Sequence, residues 1–322
     1  MRKQIVLASL ALLAALAALT AIPAGARPRG VNGQIAFARF DPALGDSVFY
    51  TINPDGSQEH LVLPFAAECP HWSPDGTLIA TCGDPNGGTT RLINPDTGAF
   101  RSLPEPDRTL PLACAVWSPD GKRLACEFFT DPADPRRNGI YTVRSSDGYG
   151  LTRMTVNHGG HDAPGDYSPD GHRFVFARNN AHGDPVGLFV TNVNGTGLRQ
   201  ITPPGTLLSS FGNWSPQGNK IVFSRHVSRS VHSSLWIVHA NGTGLRELHI
   251  RGVDCGGRND DPNGIACFGP AWSPDGTKIV FGLDSAAGRN IYTINANGSD
   301  LTQVSHGGAD DSPDWGTHPL AH

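Results

Sequence analysis

The sequence predicts an all-β chain folded as a six-bladed β-propeller of four-stranded blades, and three observations carry that prediction. The first is a repeated turn: Trp72-Ser73-Pro74-Asp75-Gly76, Trp117-Ser118-Pro119-Asp120-Gly121, Tyr167-Ser168-Pro169-Asp170-Gly171, Trp214-Ser215-Pro216-Gln217-Gly218 and Trp272-Ser273-Pro274-Asp275-Gly276, with a degenerate copy at Ser312-Pro313-Asp314-Trp315-Gly316. The second is spacing. From aromatic to aromatic the steps are 45, 50, 47, 58 and 43 residues, the size of one four-stranded blade. The third lies at the chain ends. The first unit has no first strand of its own, and the Trp315 strand has no unit after it.

In chain order, residues 1–26 read as a signal peptide. Arg2 and Lys3 precede a stretch, Ile5 to Ile22, that is apolar except for Ser9 and Thr20, and Pro23 leads into Ala24-Gly25-Ala26, a small-x-small cleavage pattern. The alternative is a retained anchor, since about 18 apolar residues is the lower limit for spanning a bilayer. Residues 27–32 form a short linker, 33–317 a single propeller domain and 318–322 a tail. Net charge is −4 before the leader is removed. Loss of Arg2 and Lys3 makes the chain more acidic, which argues against nucleic acid as a partner.

Within each unit a short strand ends at the aromatic. Ser-Pro-Asp-Gly then makes a turn in which Pro presets φ and Gly accepts a positive φ. An apolar second strand follows, as in Phe174-Val175-Phe176 or Ile279-Val280-Phe281. After a variable loop comes a third strand, such as Leu235-Trp236-Ile237-Val238. A second tight turn leads to a fourth, such as Leu198-Arg199-Gln200-Ile201. The N-terminal unit supplies strands two to four at Gln34–Phe37, Val48–Ile52 and His60–Val62. The Trp315 strand is expected to complete that blade and remove the open edges at the seam.

These repeats resemble the WD40-like repeats of TolB-type propellers. The resemblance runs over residues 33 to 317, and the α/β domain that TolB carries ahead of its propeller has no counterpart in it. It implies an exported interaction scaffold in the periplasm or cell envelope. The Tol-specific contacts are not implied, because the N-terminal tail that makes them also lacks a counterpart.

Six cysteines in an exported chain point to disulfides. If the Ser-Pro-Asp-Gly turn closes a hairpin, Cys69 lies nearly opposite Cys82 and Cys114 opposite Cys126, while Cys255 and Cys267 bracket the longest insertion. A Cys69–Cys114 bridge between blades is the rival pairing. No zinc-type Cys/His spacing is present, so no metal is expected.

Strand alternation puts both tight turns of every blade on one face and the variable loops on the other, where binding residues are expected. His158-Gly159-Gly160-His161-Asp162 echoes His306-Gly307-Gly308-Ala309-Asp310-Asp311. Both histidines stand nine residues before their aromatic, on blades three apart. His158, His161, Asp162, His306, Asp310 and Asp311 are therefore candidate ligand-binding residues at the channel mouth, or acid and base there. The other reading is that the Asp five before the aromatic serves the loop. A basic sector of second-to-third loops comprises Arg136, Arg137, Arg178, His182, Arg225, His226, Arg229 and His232. Asn259-x-Asp261-x-Asn263-Gly264 starts like a calcium loop but has Pro270 where the bidentate Glu belongs. Turn chemistry explains the Asn-Gly-Thr/Ser triplets at Asn194, Asn241 and Asn297. No Gly-x-Ser-x-Gly elbow, P-loop, dinucleotide fingerprint or His-Glu-x-x-His is present.

The expected function is a monomeric scaffold binding a protein, peptide or cell-envelope component, without a cofactor. The alternative is a carbohydrate hydrolase or lyase using channel-mouth His and Asp residues.

Overall fold

The six expected blades are six antiparallel sheets of four strands each. A computed structural model describes residues 30–64, 69–82, 90–107, 109–110, 112–128, 134–208, 210–226, 232–256 and 265–321. The leader at 1–26, part of the linker, Arg229 and the Asn259–Gly264 segment lie outside those residues.

Blade 1 contains β1 (Ile35–Asp41), β2 (Asp46–Ile52) and β3 (His60–Leu63). Blade 2 contains β4 (His71–Trp72), β5 (Ile79–Ala80), β6 (Arg91–Ile93) and β7 (Phe100–Ser102). Blade 3 contains β8 (Leu112–Trp117), β9 (Arg123–Phe128), β10 (Tyr141–Arg144) and β11 (Thr152–Arg153), with a 3-10 turn at Pro135–Arg137. Blade 4 contains β12 (Gly160–Tyr167), β13 (Arg173–Asn180), β14 (Pro185–Asn192) and β15 (Arg199–Gln200). Blade 5 contains β16 (Asn213–Trp214), β17 (Lys220–His226), β18 (Ser233–His239) and β19 (Arg246–Glu247). Blade 6 contains β20 (Ala266–Trp272), β21 (Lys278–Ser285), β22 (Gly288–Asn295) and β23 (Thr302–Gln303). The last strand, β24 (Asp310–Trp315), returns to blade 1.

The second strands read as continuous apolar runs because both of their faces are buried. On β13, Phe174 and Phe176 pack toward blade 3 while Val175 and Ala177 pack toward blade 5. On β1, Ile35 and Phe37 pack toward blade 6 and Ala36 and Ala38 toward blade 2. Period-two alternation thus feeds each strand into two different cores. The apolar interior is a ring of interblade wedges rather than one central core.

Closure occurs as expected. β24 pairs antiparallel with β1, setting Ile35 opposite Trp315 and Arg39 opposite Asp310. Trp315 Nε1 donates to Gly33 O at 2.9 Å, and Gly316 N to Gln34 O at 3.0 Å.

The tight turns share one wiring. Ser73 Oγ donates to Asp75 Oδ1 at 2.6 Å and accepts from Leu78 N at 2.9 Å, and Gly76, at φ 72°, donates back to Ser73 O. Ser118–Asp120, Ser168–Asp170 and Ser273–Asp275 repeat the bond. Partial burial raises these four carboxyls. The hydroxyl and amide donors outweigh it and hold them below the usual carboxylate range. In blade 5, Gln217 reaches sideways instead, to Asp275 O at 3.1 Å.

Three disulfides form, Cys69–Cys82, Cys114–Cys126 and Cys255–Cys267, each within its own hairpin or insertion. Cys114 and Cys126 are direct partners across β8 and β9. The interblade Cys69–Cys114 pairing is thereby excluded.

Candidate functional site

The innermost strands of the blades converge on the channel, and its two ends differ. At the tight-turn end Trp72, Trp214, Trp272 and Trp315 leave a cavity of about 30 Å³, bordered by Gly316 and Thr317 of the C-terminal segment. His318 stacks on Trp72 with ring centroids 5.1 Å apart, and its Nδ1 lies 2.8 Å from Gly76 O. The loop-face end opens into a hollow of about 220 Å³. Blades 1, 2, 4, 5 and 6 line it, with His71, Phe211, Asn213, Phe268, Asp311 and Asp314 as its principal side chains. Larger hollows of about 350 and 290 Å³ lie between successive tight turns of blades 2 to 4. Their walls include Asp75, Asp120 and Asp170, whose carboxylates already accept bonds within their own turns. The channel mouth is the better site because several blades converge there.

In three units the residue just before the repeat aromatic ties the inner strands together around the mouth. Asp314 Oδ2 accepts from Trp72 N at 2.8 Å, Asp166 Oδ2 from Trp214 N at 2.9 Å, and Asn213 Oδ1 from Trp272 N at 2.8 Å. Each bond ties one blade to the next, so the polar groups of the wall are held rigidly. His71 Nδ1 lies 4.0 Å from Asp314 Oδ2. Sequence reasoning did not single out this ring. The signal for it is the position immediately before the repeat aromatic, where polar side chains recur in four of the units.

Among the six residues singled out from the sequence, Asp311 lines this hollow. It accepts from Ser312 N at 2.6 Å and from Arg289 Nη1 at 2.9 Å, and Arg289 lies over the Phe268 ring. Asp162 is fully buried, opposite Arg178 in the β12–β13 register. It accepts from Arg178 Nε and Nη2, each at 2.7 Å, and from Thr155 Oγ1 and Asn157 Nδ2. Asp310 is its counterpart in blade 1, fully buried against Arg39 and bonded to Ser305 and Gly307. Burial disfavours the Arg39 cation, but Glu59 and Asp310 more than reverse this and hold its pKa above the ordinary value. Both carboxylates are committed to fastening the incoming loop to the second strand.

His158 and His306 are exposed on the connections leading into blades 4 and 1, and His306 Nδ1 lies 3.0 Å from Gln303 Nε2. His161 Nε2 stands 2.6 Å from Glu127 Oε1 of blade 3, at ion-pair distance though off the hydrogen-bonding direction. Of the basic sector, Arg136 pairs with Asp134 and Arg137 bonds Thr109, so those charges are locally engaged. No group of three potential metal ligands occurs among the described residues, and no described helix is long and apolar enough to cross a membrane.

No protein-family profile matches the chain, and no curated protein matches it in sequence. Solved structures match it closely in fold. TolB from Acinetobacter baumannii superposes with a TM-score of 0.68 at 22% identity, over 88% of this chain and 66% of that one. A putative TolB from Agrobacterium tumefaciens gives 0.62 at 16% identity, over 89% and 99%. The hydrazine synthase of Kuenenia stuttgartiensis gives 0.64 at 15% identity, over 89% of this chain and 47% of that one. The chain thus spans just under two thirds of the Acinetobacter protein. Identities this low establish the fold alone, and in fold this chain is a six-bladed propeller with TolB propellers among its structural neighbours.

Proposed function

We propose that this protein is an exported binding scaffold that holds a protein, peptide or cell-envelope component at the loop-face mouth of its channel. The carrying observation is the rigid hollow of about 220 Å³ where five blades converge, with Phe211 and Phe268 beside Asn213, Asp311 and Asp314. Apolar surface next to fixed polar groups suits recognition of a partner segment. The two most buried carboxylates of the candidate set, Asp162 and Asp310, already neutralise arginines, which favours binding over acid–base chemistry. Export is supported by the leader pattern at 1–26 and by three disulfides, which belong to an oxidising compartment. The periplasm or the extracellular medium is the proposed location.

The catalytic alternative draws on the His161–Glu127 imidazole–carboxylate pair. Neither residue is among those lining the hollow.

Site-specific photo-crosslinking in the producing cells tests the binding reading. A photoreactive residue at Phe211 or Phe268 should trap a discrete partner, and the same residue at Thr77 on the opposite face should trap none. Equal trapping from both faces, or none from either, would overturn it.

A further inference from the structure

One position of the repeat carries an arginine in three blades and is balanced in only two. Arg39 of blade 1 and Arg178 of blade 4 each stand opposite a buried aspartate, Asp310 and Asp162. In blades 3 and 6 the same cross-strand pair is apolar: Leu112 opposite Phe128 and Cys267 opposite Leu283. Blade 5 keeps the cation and lacks the acid. Arg225 is paired with Leu208, and at the sequence position five before the aromatic, where the other two blades have aspartate, blade 5 has Ser209.

The surroundings of Arg225 otherwise match those of its counterparts. Its guanidinium sits over the third-strand aromatic, 4.3 Å from the Trp236 centroid, as Arg39 sits 4.4 Å from Tyr50 and Arg178 5.2 Å from Phe189. Trp236 is itself held by a 2.9 Å bond from Nε1 to Ser234 Oγ. The Nε of Arg225 is buried with no hydrogen-bond partner, and no ion pair is made by this side chain among the described residues. His232, just ahead of β18, adds a second buried, unpartnered nitrogen, Nδ1. A half-buried guanidinium cannot shed its charge, and a buried donor without an acceptor carries its full desolvation penalty. Its neighbour on β17 is tied to the channel mouth: Ser224 N donates to Ser210 Oγ at 2.7 Å, and Ser210 and Phe211 line the hollow.

We infer that Arg225, stacked on Trp236, is a recognition site for a carboxylate supplied by a ligand, which takes the place that Asp162 and Asp310 fill in blades 4 and 1. The planar guanidinium fork selects a carboxylate by matching its two oxygens. This gives the binding reading of the loop face a ligand chemistry and rests on that reading. Its test needs no partner, so it can fail while crosslinking at Phe211 succeeds.

The test is a titration of the full mature chain at constant ionic strength, followed by NMR of the arginine Nε–H and indole N–H signals. The probes are acetate, the acidic peptide acetyl-Gly-Asp-Gly-amide and, as control, chloride. Both carboxylates should saturate shifts at one arginine and at the Trp236 indole while chloride does not. Arg225→Leu, which copies Leu283 of blade 6, should fold with unchanged thermal stability or better and weaken carboxylate binding at least about tenfold, the effect of losing one charge-assisted pair. Tighter binding of the peptide than of acetate would assign the carboxylate to a polypeptide partner; equal binding would assign it to a small acid. Carboxylate shifts that persist in Arg225→Leu, or that chloride reproduces, would overturn the inference. So would the lack of a saturable response in the wild type.

Discussion

The two faces of this ring are built from the same strands under different rules. On the tight-turn face, four blades use one Ser–Asp bond, formed within a single turn between a buried hydroxyl and a partly buried carboxylate. On the loop face the corresponding fastening differs from blade to blade. It is a buried Asp–Arg pair in blades 1 and 4, an apolar pair in blades 3 and 6, and in blade 5 an arginine with no acid opposite it among the described residues. Reversing a chain in two residues has few solutions, so the turns converge. Fastening a loop to a strand has several, because any complementary cross-strand pair will do. A face whose fastenings are interchangeable can be modified for binding without loss of the ring.

The strongest way to break this contrast is to remove one buried carboxylate. Asp162→Ala leaves the half-buried Arg178 guanidinium without its partner and should cost about 3–5 kcal/mol. The double variant Asp162→Leu with Arg178→Phe copies the Leu112–Phe128 pair of blade 3 and should recover most of that loss. Guanidinium denaturation of the oxidised chain measures both. A double variant as unstable as the single one would show that the loop-face pairs are not interchangeable.

Next in size is the Cys114–Cys126 bridge, which joins partners on β8 and β9 at a sequence separation of 12. Replacing both cysteines with Ala should lower stability by about 2–4 kcal/mol while leaving the chain folded, because the same two strands are also joined by the packing of Leu112, Trp117, Leu124 and Phe128. Circular dichroism during thermal unfolding would show whether the fold survives.

The smallest effect belongs to the tight turns. Asp75→Asn weakens one exposed turn and should cost about 0.5–1.5 kcal/mol at neutral pH. The native Asp75 carboxyl is held below its unfolded value, so its contribution is complete above a pH of about 4 and is lost as pH falls through the depressed native value. The difference between wild type and variant should therefore shrink on acidification. A gap that stays constant from pH 6 to pH 2.5 would contradict the role assigned to the ionised turn.

Much of this was legible in the sequence for definite reasons. The Ser-Pro-Asp-Gly turns, the blade count and the closure by the Trp315 strand all follow from local chemistry repeated at one period. The hairpin pairings of Cys69 with Cys82 and Cys114 with Cys126 were legible for the same reason, since a short turn sets its flanking strands in register. The candidate site was legible in part. Asp311 could be placed at the channel mouth by counting back from Trp315, whereas the wall formed by His71, Asn213 and Asp314 was not singled out. Their roles depend on which backbone N–H of the next blade lies within reach, and sequence spacing carries no distance between blades.

The sequence by itself determined the ring, because turns and strand alternation act within a few residues and repeat. Only the tertiary structure decided the state of its charges. Arg39, Arg178 and Arg225 look alike in the sequence, each two residues after the second-strand phenylalanine. Arg178 meets an acid on the preceding strand β12, Arg39 meets one on β24 returning from the far end of the ring, and Arg225 meets a leucine. Whether a charge is satisfied depends on what folding sets opposite it across the strands, and that sets Arg225 apart from its two repeats.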